Sequence, residues 1–222
     1  MQPRLIVFDV NETLSDMSPL QQRFADIGMP KAAAGSWFGG MLRDGFALTV
    51  TGDKPAFAEL AAESLRVLLG DRDEDQVERD VQHLMSGFTS LPVHPDVVEG
   101  VHALRDLDLR LATLSNGSSS VAEGLFEQAG IADSFTDLLS VADAPAWKPA
   151  RSAYEYAVRA CGVPAAEAML VAVHPWDIHG AHEAGLQTGW IDRVGRRYPD
   201  FFAAPDVRAT SVLDLARTLA AS

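Results

Sequence analysis

Short uninterrupted apolar runs alternate with helix-like periodicity over most of the chain. The runs occupy 5–8, 109–114, 138–141, 169–173 and 188–192, and helical patterns fill 97–107, 119–129, 151–161 and 178–185. A continuous apolar run is typical of a strand buried on both faces, and strands that alternate with helices form parallel sheets with right-handed crossovers. The pattern therefore predicts an α/β protein with a doubly wound parallel sheet.

The segment 16–92 breaks this alternation. Its apolar positions have helical spacing over 18–27, 32–50, 54–69 and 73–87, and Pro30, Gly52 and Gly70 separate these stretches. We interpret it as a helical cap domain inserted after the first strand, with links near 15–17 and 90–95. The catalytic core would then comprise 1–15 and 93–222.

Composition and net charge argue against several classes of protein. The chain has 222 residues, a formal net charge of −13 and 47% hydrophobic residues, which is enough apolar material for a large core. The negative charge argues against binding to nucleic acid or to an acidic membrane surface, and no apolar stretch has the ~18 residues of a membrane span. With Cys161 as the single cysteine, a disulfide framework is excluded, and we expect a cytoplasmic protein.

Polar residues stand where the predicted strands end. Asp9 follows the first run, Ser115 and Asn116 follow the second, and His174 and Asp177 follow a later one. Ligands of doubly wound proteins bind beyond the carboxyl ends of the strands, so these side chains are candidates for one site. Asp9 can serve as a nucleophile that forms an ester, or it can simply cap the following turn.

Two further features fit a site for an anion. The turn 115–118 precedes a helix, where free backbone N–H groups can hold an anion, although helix capping alone would also explain its residues. Lys148, in a Trp-Lys-Pro string, is either a solvated loop residue or the cation that keeps Asp9 ionised.

Taken together, four short motifs resemble those of the haloacid dehalogenase superfamily. They are Phe-Asp-Val-Asn-Glu-Thr-Leu at 8–14, Leu-Ser-Asn-Gly at 114–117, Lys-Pro at 148–149 and Trp-Asp at 176–177. Tyr154, six residues after Lys148, and Trp176, directly before Asp177, resemble the type II (S)-2-haloacid dehalogenases more specifically. The resemblance covers essentially the whole chain and implies a Rossmann-like core with an inserted cap.

The resemblance also implies a role for each motif residue. Asp9 would be the nucleophile, Lys148 the cation that lowers its pKa, and Asp177 the carboxylate that orients Lys148. Ser115 and Asn116 would contact the substrate carboxylate and the leaving group, and Tyr154 would stand close to Lys148. Beyond the resemblance, the further candidate substrate-binding residues are Asn11, Arg43, His174 and Trp176. Thr13 would fix the loop of the first motif.

Two departures from the superfamily argue against phosphoryl transfer. Phosphatases of the superfamily carry a second Asp two residues after the nucleophile, where this chain has Asn11, and a pair of acids near the fourth motif, where it has only Asp177. Mg²⁺ requires several oxygen ligands, so we expect attack on carbon without a metal or any other cofactor.

A third departure concerns the leaving group. Phe38 aligns with the cap arginine that receives the halide in the resembling enzymes. We expect Arg43 and His174 to supply donors in its place, although Arg43 beside Asp44 can equally be a solvated helix residue.

The expected activity is hydrolysis of a short (S)-2-haloacid through an aspartyl ester, with a small anionic carboxylate as substrate. The alternatives are a small-molecule phosphatase, a hydrolase that acts on another 2-substituted or strained-ring carboxylate, and a non-catalytic binding protein on the same fold. A homodimer is compatible with each of them.

Overall fold

A computed structural model describes residues 2–221 and contains one six-stranded parallel sheet. The strands are β1 (Leu5–Phe8), β2 (Arg110–Ser115), β3 (Asp137–Ser140), β4 (Ala168–Ala172), β5 (Gln187–Ile191) and β6 (Val207–Ala209). Their order across the sheet is β3-β2-β1-β4-β5-β6, and every neighbouring pair is parallel. The predicted α/β class and parallel sheet are confirmed.

Helices cover both faces of the sheet because residues of one strand alternate between the faces. Leu5 and Val7 of β1 belong to one apolar cluster, whereas Ile6 and Phe8 belong to the other. The helices that lie after residue 95 are α5 (Val97–Arg105), α6 (Ser119–Ala129), α7 (Arg151–Cys161), α8 (Pro175–Glu183) and α9 (Val212–Ala220). Apolar residues of α7 and α8 join the first cluster, and those of α5, α6 and α9 join the second.

Four helices lie in the segment 16–92, as the periodicity predicts. They are α1 (Ser18–Asp26), α2 (Ala33–Thr51), α3 (Phe57–Leu69) and α4 (Glu74–Phe88). Their buried aromatic residues, which include Trp37, Phe38 and Phe88, belong to the same apolar cluster as one face of the sheet. The four helices therefore pack onto that face, and we retain the division into cap and core as an interpretation of the chain.

The two links to this helical segment run side by side. Ser15 and Val93 form an antiparallel bridge, the Asp16 N–H donates to the Pro92 carbonyl over 2.8 Å, and the His94 N–H donates to the Leu14 carbonyl over 2.9 Å. This short ribbon brings the chain back beside the end of β1, close to the expected links near 15–17 and 90–95.

Strand β6 is an element that the hydrophobic pattern did not predict. It has three residues, Val207–Ala209, and only Ala209 is buried. So short a strand at the sheet edge shows neither a continuous apolar run nor a clear alternation. Within residues 2–221, no helix has both the length and the apolar character needed to cross a membrane.

Gly45 sets how closely α2 approaches the core. A methyl group added to Gly45 would overlap the six-membered ring of Trp147. The buried Trp147 ring also stacks on Phe57, with 5.7 Å between centroids, and its Nε1 donates to the Pro55 carbonyl over 3.1 Å. The position of α2 that faces Trp147 therefore requires a glycine. Trp147 itself directly precedes Lys148 in sequence.

We predict that Gly45→Ala lowers the free energy of unfolding by ~1–3 kcal/mol, because the added methyl overpacks this contact. Urea denaturation measures the change. Gly39→Ala is the matched control in the same helix, since an added methyl there meets no atom within 4 Å. We expect this control to gain ~0.5–1 kcal/mol from reduced backbone entropy, and an equal loss in both variants would contradict a specific Gly45–Trp147 contact.

Candidate active site

The carboxyl ends of the central strands bring together side chains that are far apart in sequence. Strand β1 lies between β2 and β4, so Asp9 after β1 is flanked by Ser115 at the end of β2 and by Asp177 in α8, which follows β4. Lys148 reaches the same place from the loop after β3. Asp9, Ser115, Lys148 and Asp177 are all buried.

The ammonium group of Lys148 lies between two carboxylates. Its Nζ donates to Oδ1 of Asp9 over 2.9 Å and to Oδ2 of Asp177 over 2.6 Å. The Lys148 side chain is 0% exposed. A buried charge is tolerated only when opposite charges compensate its lost hydration, and here two carboxylates do so.

These contacts set the protonation of the nucleophile candidate. Burial alone would raise the pKa of Asp9, but the positive charge of Lys148 and the hydrogen bonds from His174 and Thr13 hold that pKa well below its ordinary value. Burial would likewise lower the pKa of Lys148, yet Asp177 and Asp9 raise it above its ordinary value. Asp9 is therefore a carboxylate and Lys148 an ammonium over the neutral pH range.

Thr13 fixes the orientation of the Asp9 carboxylate. Its hydroxyl donates to Oδ2 of Asp9 over 2.6 Å and accepts from the Val173 N–H over 3.1 Å. The backbone of Asp9 is held as well, because its N–H donates to the Val171 carbonyl over 3.0 Å. One oxygen of Asp9 thus faces Thr13, and the other faces Lys148.

Tyr154 acts on Asp177. Its hydroxyl donates to Oδ1 of Asp177 over 2.6 Å, so both oxygens of that carboxylate have a donor. Burial and the negative charge of Asp9 nevertheless raise the pKa of Asp177, against the lowering effect of Lys148. Tyr154 is itself fully buried, and its hydroxyl contacts the oxygen of Asp177 that Lys148 does not.

Ser115 and Asn116 stand beside a cavity of about 280 Å³, which Asn11 also lines. The Asn116 side chain makes a reciprocal pair with the Lys148 backbone, accepting from its N–H over 3.0 Å and donating to its carbonyl over 3.2 Å. The Ser115 hydroxyl accepts from the Gly117 N–H over 2.9 Å and keeps its own proton to donate. Val10, the residue directly after Asp9, also lines this cavity, so the cavity lies close to the candidate nucleophile.

His174 reaches Asp9 from another side. Its Nδ1 lies 3.3 Å from Oδ2 of Asp9, and its Nε2 lies 2.8 Å from Oε2 of Glu12. Burial lowers the pKa of His174, but hydrogen bonds to Asp9 and Glu12 raise it to about 9. The Trp176 ring packs against His174, with 5.1 Å between centroids, and contacts Phe46 of α2, with 4.8 Å between centroids.

The structure does not bring Arg43 to this site. Its side chain is 76% exposed and paired with Asp44 over 2.8 Å, and it lines a separate surface pocket between α2 and α3. The expectation that Arg43 would substitute for a cap arginine therefore has no support in its position. Phe38 and Arg43 are five residues apart, so their side chains leave the helix in directions that differ by about 140° around its axis.

Sequence reasoning missed two charged residues. Glu12 contacts His174, and its place in the first motif, three residues after the candidate nucleophile, was the available signal. Lys54, which follows α2, lines the cavity beside Ser115 and Asn116 and donates to the carbonyls of Ala142 and Ala144 over 2.8 and 2.7 Å. No spacing rule in the sequence pointed to Lys54.

Comparison with known proteins identifies the family to which this chain belongs. A sequence model described as haloacid dehalogenase-like hydrolase matches residues 3–185. The chain belongs to this family of hydrolases.

Several characterised relatives are similar over nearly their whole length. Haloacetate dehalogenase H-2 of Moraxella sp. (strain B) is 29% identical over 205 residues, which cover 90% of this chain and 91% of the relative. An (S)-2-haloacid dehalogenase of Pseudomonas sp. (strain YL) is 28% identical over 209 residues, covering 93% and 90%.

A solved L-2-haloacid dehalogenase superposes with a TM-score of 0.91 at 28% identity, covering 99% of this chain and 100% of the other. The structure of a dehalogenase with an intermediate complex superposes with a TM-score of 0.90 at 27% identity, covering 99% and 98%. The Rossmann-like fold expected from the sequence is therefore confirmed.

We predict that Lys148→Met raises the pKa of Asp9 by ~1–3 units, because a buried opposite charge has been removed. Carboxyl ¹³C NMR of Asp9 measures this shift directly. Lys31→Met is the control, since Lys31 is an exposed residue of the cap segment. A pKa of Asp9 that is the same in both variants would show that Lys148 does not hold it ionised.

Proposed function

We propose that this hydrolase displaces halide from C2 of a short (S)-2-haloacid through an ester on Asp9. The observation that carries the proposal is a buried carboxylate that Lys148 keeps ionised, next to a cavity lined by Ser115 and Asn116. The dehalogenase names of the similar proteins support the same chemistry.

In the first step, an oxygen of Asp9 attacks C2 from the side opposite the halide. A bond forms between this oxygen and C2, and the carbon–halogen bond breaks with its electron pair on the departing halide. The configuration at C2 inverts. The Ser115 hydroxyl and the second N–H of the Asn116 amide can donate to the substrate carboxylate, which places C2 near Asp9.

Burial of Asp9 favours this attack. A carboxylate in water must shed hydration before it can reach a saturated carbon, whereas Asp9 is 4% exposed and its partners are fixed protein donors. Thr13 holds the carboxylate in one orientation, so the attack requires little reorganisation.

In the second step, water attacks the carbonyl carbon of the Asp9 ester. The bond between this carbon and the oxygen attached to C2 breaks, which releases an (R)-2-hydroxy acid and restores the Asp9 carboxylate. The substrate carbon is not attacked again, so its inverted configuration is retained in the product.

We also propose that the reaction needs no metal ion. The Lys148 ammonium occupies the space between Asp9 and Asp177, where it supplies the positive charge that two facing carboxylates require. Asn11 supplies an amide where a phosphatase would use an acid. Among residues 2–221, no group of three or more His, Cys, Asp or Glu side chains is arranged to hold a metal.

Two rivals remain for experiment to separate. A small-molecule phosphatase would need an acid to protonate the leaving alcohol, and Asn11 cannot do so. A hydrolase of another 2-substituted or strained-ring carboxylate would use the same attack by Asp9. A cytoplasmic location and a homodimer remain predictions from the sequence.

We predict that Asp9→Asn lowers halide release from (S)-2-chloropropionate at least about a thousandfold, because the nucleophilic charge is lost while the side-chain size is kept. Halide release measures the loss, and circular dichroism checks that the variant is folded.

Isotope labelling of the wild-type enzyme tests the ester independently of that variant. With enzyme in excess over substrate in H₂¹⁸O, the new oxygen of the first product should be unlabelled, because it comes from Asp9, and the label should enter Asp9. A labelled product oxygen in this single turnover would establish direct attack by water.

We predict that halide release continues at an undiminished rate in excess chelator, because Lys148 provides the required cation. Activity lost with chelator and restored by Mg²⁺ would instead favour the phosphatase. Phosphate release from small phosphate esters, assayed in parallel with Mg²⁺, measures that alternative.

A further inference from the structure

Glu12 has an unusual backbone conformation directly beside the nucleophile. Its φ of 62° lies in the left-handed region, which non-glycine residues rarely adopt and which costs free energy. The conformation is held locally, since the Glu12 N–H donates to the Ser15 hydroxyl over 3.3 Å and the Glu12 carbonyl lies 3.1 Å from Nε2 of His94. A residue held in this way can present its carboxylate in a fixed direction.

That direction is toward His174. Oε2 of Glu12 lies 2.8 Å from Nε2 of His174, and the opposite ring nitrogen, Nδ1, lies 3.3 Å from Oδ2 of Asp9. Carboxylate, imidazole and nucleophile thus form a continuous chain. Stacking on Trp176 further restricts the imidazole ring.

His174 and Glu12 also line a second cavity, of about 330 Å³, that is distinct from the one beside Ser115 and Asn116. Asp9 itself lines neither cavity, but its neighbours Val10 and Asn11 line the proposed substrate cavity, and His174, which contacts Asp9, lines the other. Water in the second cavity would meet His174 next to the Asp9 carboxylate.

Asp177 is poorly placed to accept a proton from this water. Its Oδ2 accepts from Lys148 and its Oδ1 accepts from Tyr154, and its side chain is fully buried. His174, in contrast, is 14% exposed and touches Asp9 itself. The group best placed for proton transfer at the ester is an imidazole.

We propose that His174 is the general base for hydrolysis of the Asp9 ester, and that Glu12 is the residue that positions it. This inference rests on the proposed function, because it concerns the second step of that reaction.

Each proton in the hydrolysis of the Asp9 ester has a defined donor and acceptor. In the free enzyme, the His174 imidazolium faces the carboxylates of Asp9 and Glu12, with Lys148 on the far side of Asp9; Asp16, His94 and Arg193 line the same cavity. Alkylation of Asp9 removes one of the two negative charges that raise the pKa of His174, so the imidazolium releases a proton to solvent.

Neutral His174 then takes one proton from the attacking water as the bond from the water oxygen to Cγ of Asp9 forms. When the Cγ–O bond to the substrate breaks, the second water proton passes to the oxygen of the departing 2-hydroxy acid. Asp9 is again a carboxylate and His174 again an imidazolium. The one proton released per turnover is the proton that His174 lost on alkylation.

Pre-steady-state halide release separates the two steps. In His174→Gln at about pH 8, Lys148 still holds Asp9 ionised, so a burst of about one halide per enzyme should remain at a rate within about threefold of wild type. Ester hydrolysis should slow about 10²- to 10⁴-fold, the usual contribution of a general base. Intact-mass spectrometry should then show the ester adduct on Asp9.

Glu12→Gln should accumulate the same adduct, with a smaller loss in hydrolysis. Asp16→Asn is the matched control, because Asp16 lines the same cavity but contacts the Ser18 N–H rather than His174. We expect this control to show no adduct and no loss of steady-state rate.

An NMR titration of His174 gives a second measurement that does not depend on activity. Asp9→Asn, a neutral mimic of the ester, and Glu12→Gln should each lower the pKa of His174 by ~1–3 units from about 9, whereas Asp16→Asn should change it little. An unchanged pKa in Asp9→Asn would overturn the proposed switch.

Failure of the proposed dehalogenation and failure of the role assigned to His174 give different results. If wild-type enzyme releases no halide from any 2-haloacid, the proposed function fails. If wild type releases halide and His174→Gln loses the burst itself, or shows no adduct and full turnover, dehalogenation is correct and the role assigned to His174 is wrong.

Discussion

The ammonium group of Lys148, buried between Asp9 and Asp177, is the interaction on which the rest of the site depends. A lysine that is 0% exposed has lost its hydration, and the two carboxylates at 2.9 and 2.6 Å compensate that loss. Without this cation, two buried carboxylates would face each other, and the pKa of at least one would rise until it took up a proton. The same group that compensates the buried negative charges therefore keeps Asp9 ionised.

The position of Lys148 is in turn fixed by its neighbours in the chain. The Asn116 side chain forms hydrogen bonds with the backbone of Lys148. The ring of Trp147 packs against Gly45 of the inserted helical segment, and its Nε1 donates a hydrogen bond to the carbonyl of Pro55 in the same segment. Lys54 of the same segment donates to two carbonyls of the loop that leads to Lys148. Packing of the helical segment and placement of the Lys148 ammonium are thus coupled, so a change at the Gly45–Trp147 contact should affect both stability and the charge beside Asp9.

The particular chemistry follows from a few side chains placed on a widely shared fold. Asn11, instead of a second acid, removes the means to protonate a leaving alcohol, and Lys148 supplies the charge between the carboxylates. His174, held by Glu12, then adds an imidazole at Oδ2 of Asp9, whereas Lys148 contacts Oδ1. Attack on carbon and hydrolysis of the resulting ester can use different faces of one carboxylate.

The sequence by itself determined the first five strands of the sheet and the centre of the site. Buried parallel strands leave uninterrupted apolar runs, and the polar residue that ends each run must lie at the carboxyl edge of the sheet. The sequence alone therefore places Asp9, Ser115 and Asp177 together. Lys148 was assigned through its motif, and the structure places it there as well.

Only the tertiary structure decided what the helical segment and the loops contribute. Helical periodicity located α2, but the packing of that helix decided that Arg43 points to solvent, away from Asp9. Lys54 reaches the cavity because the segment after α2 folds onto a distant loop, and Glu12 reaches His174 through a backbone conformation that no periodicity encodes. Strand ends are fixed by local hydrophobic pattern, whereas the direction of a side chain on a surface helix or loop depends on contacts between segments far apart in sequence.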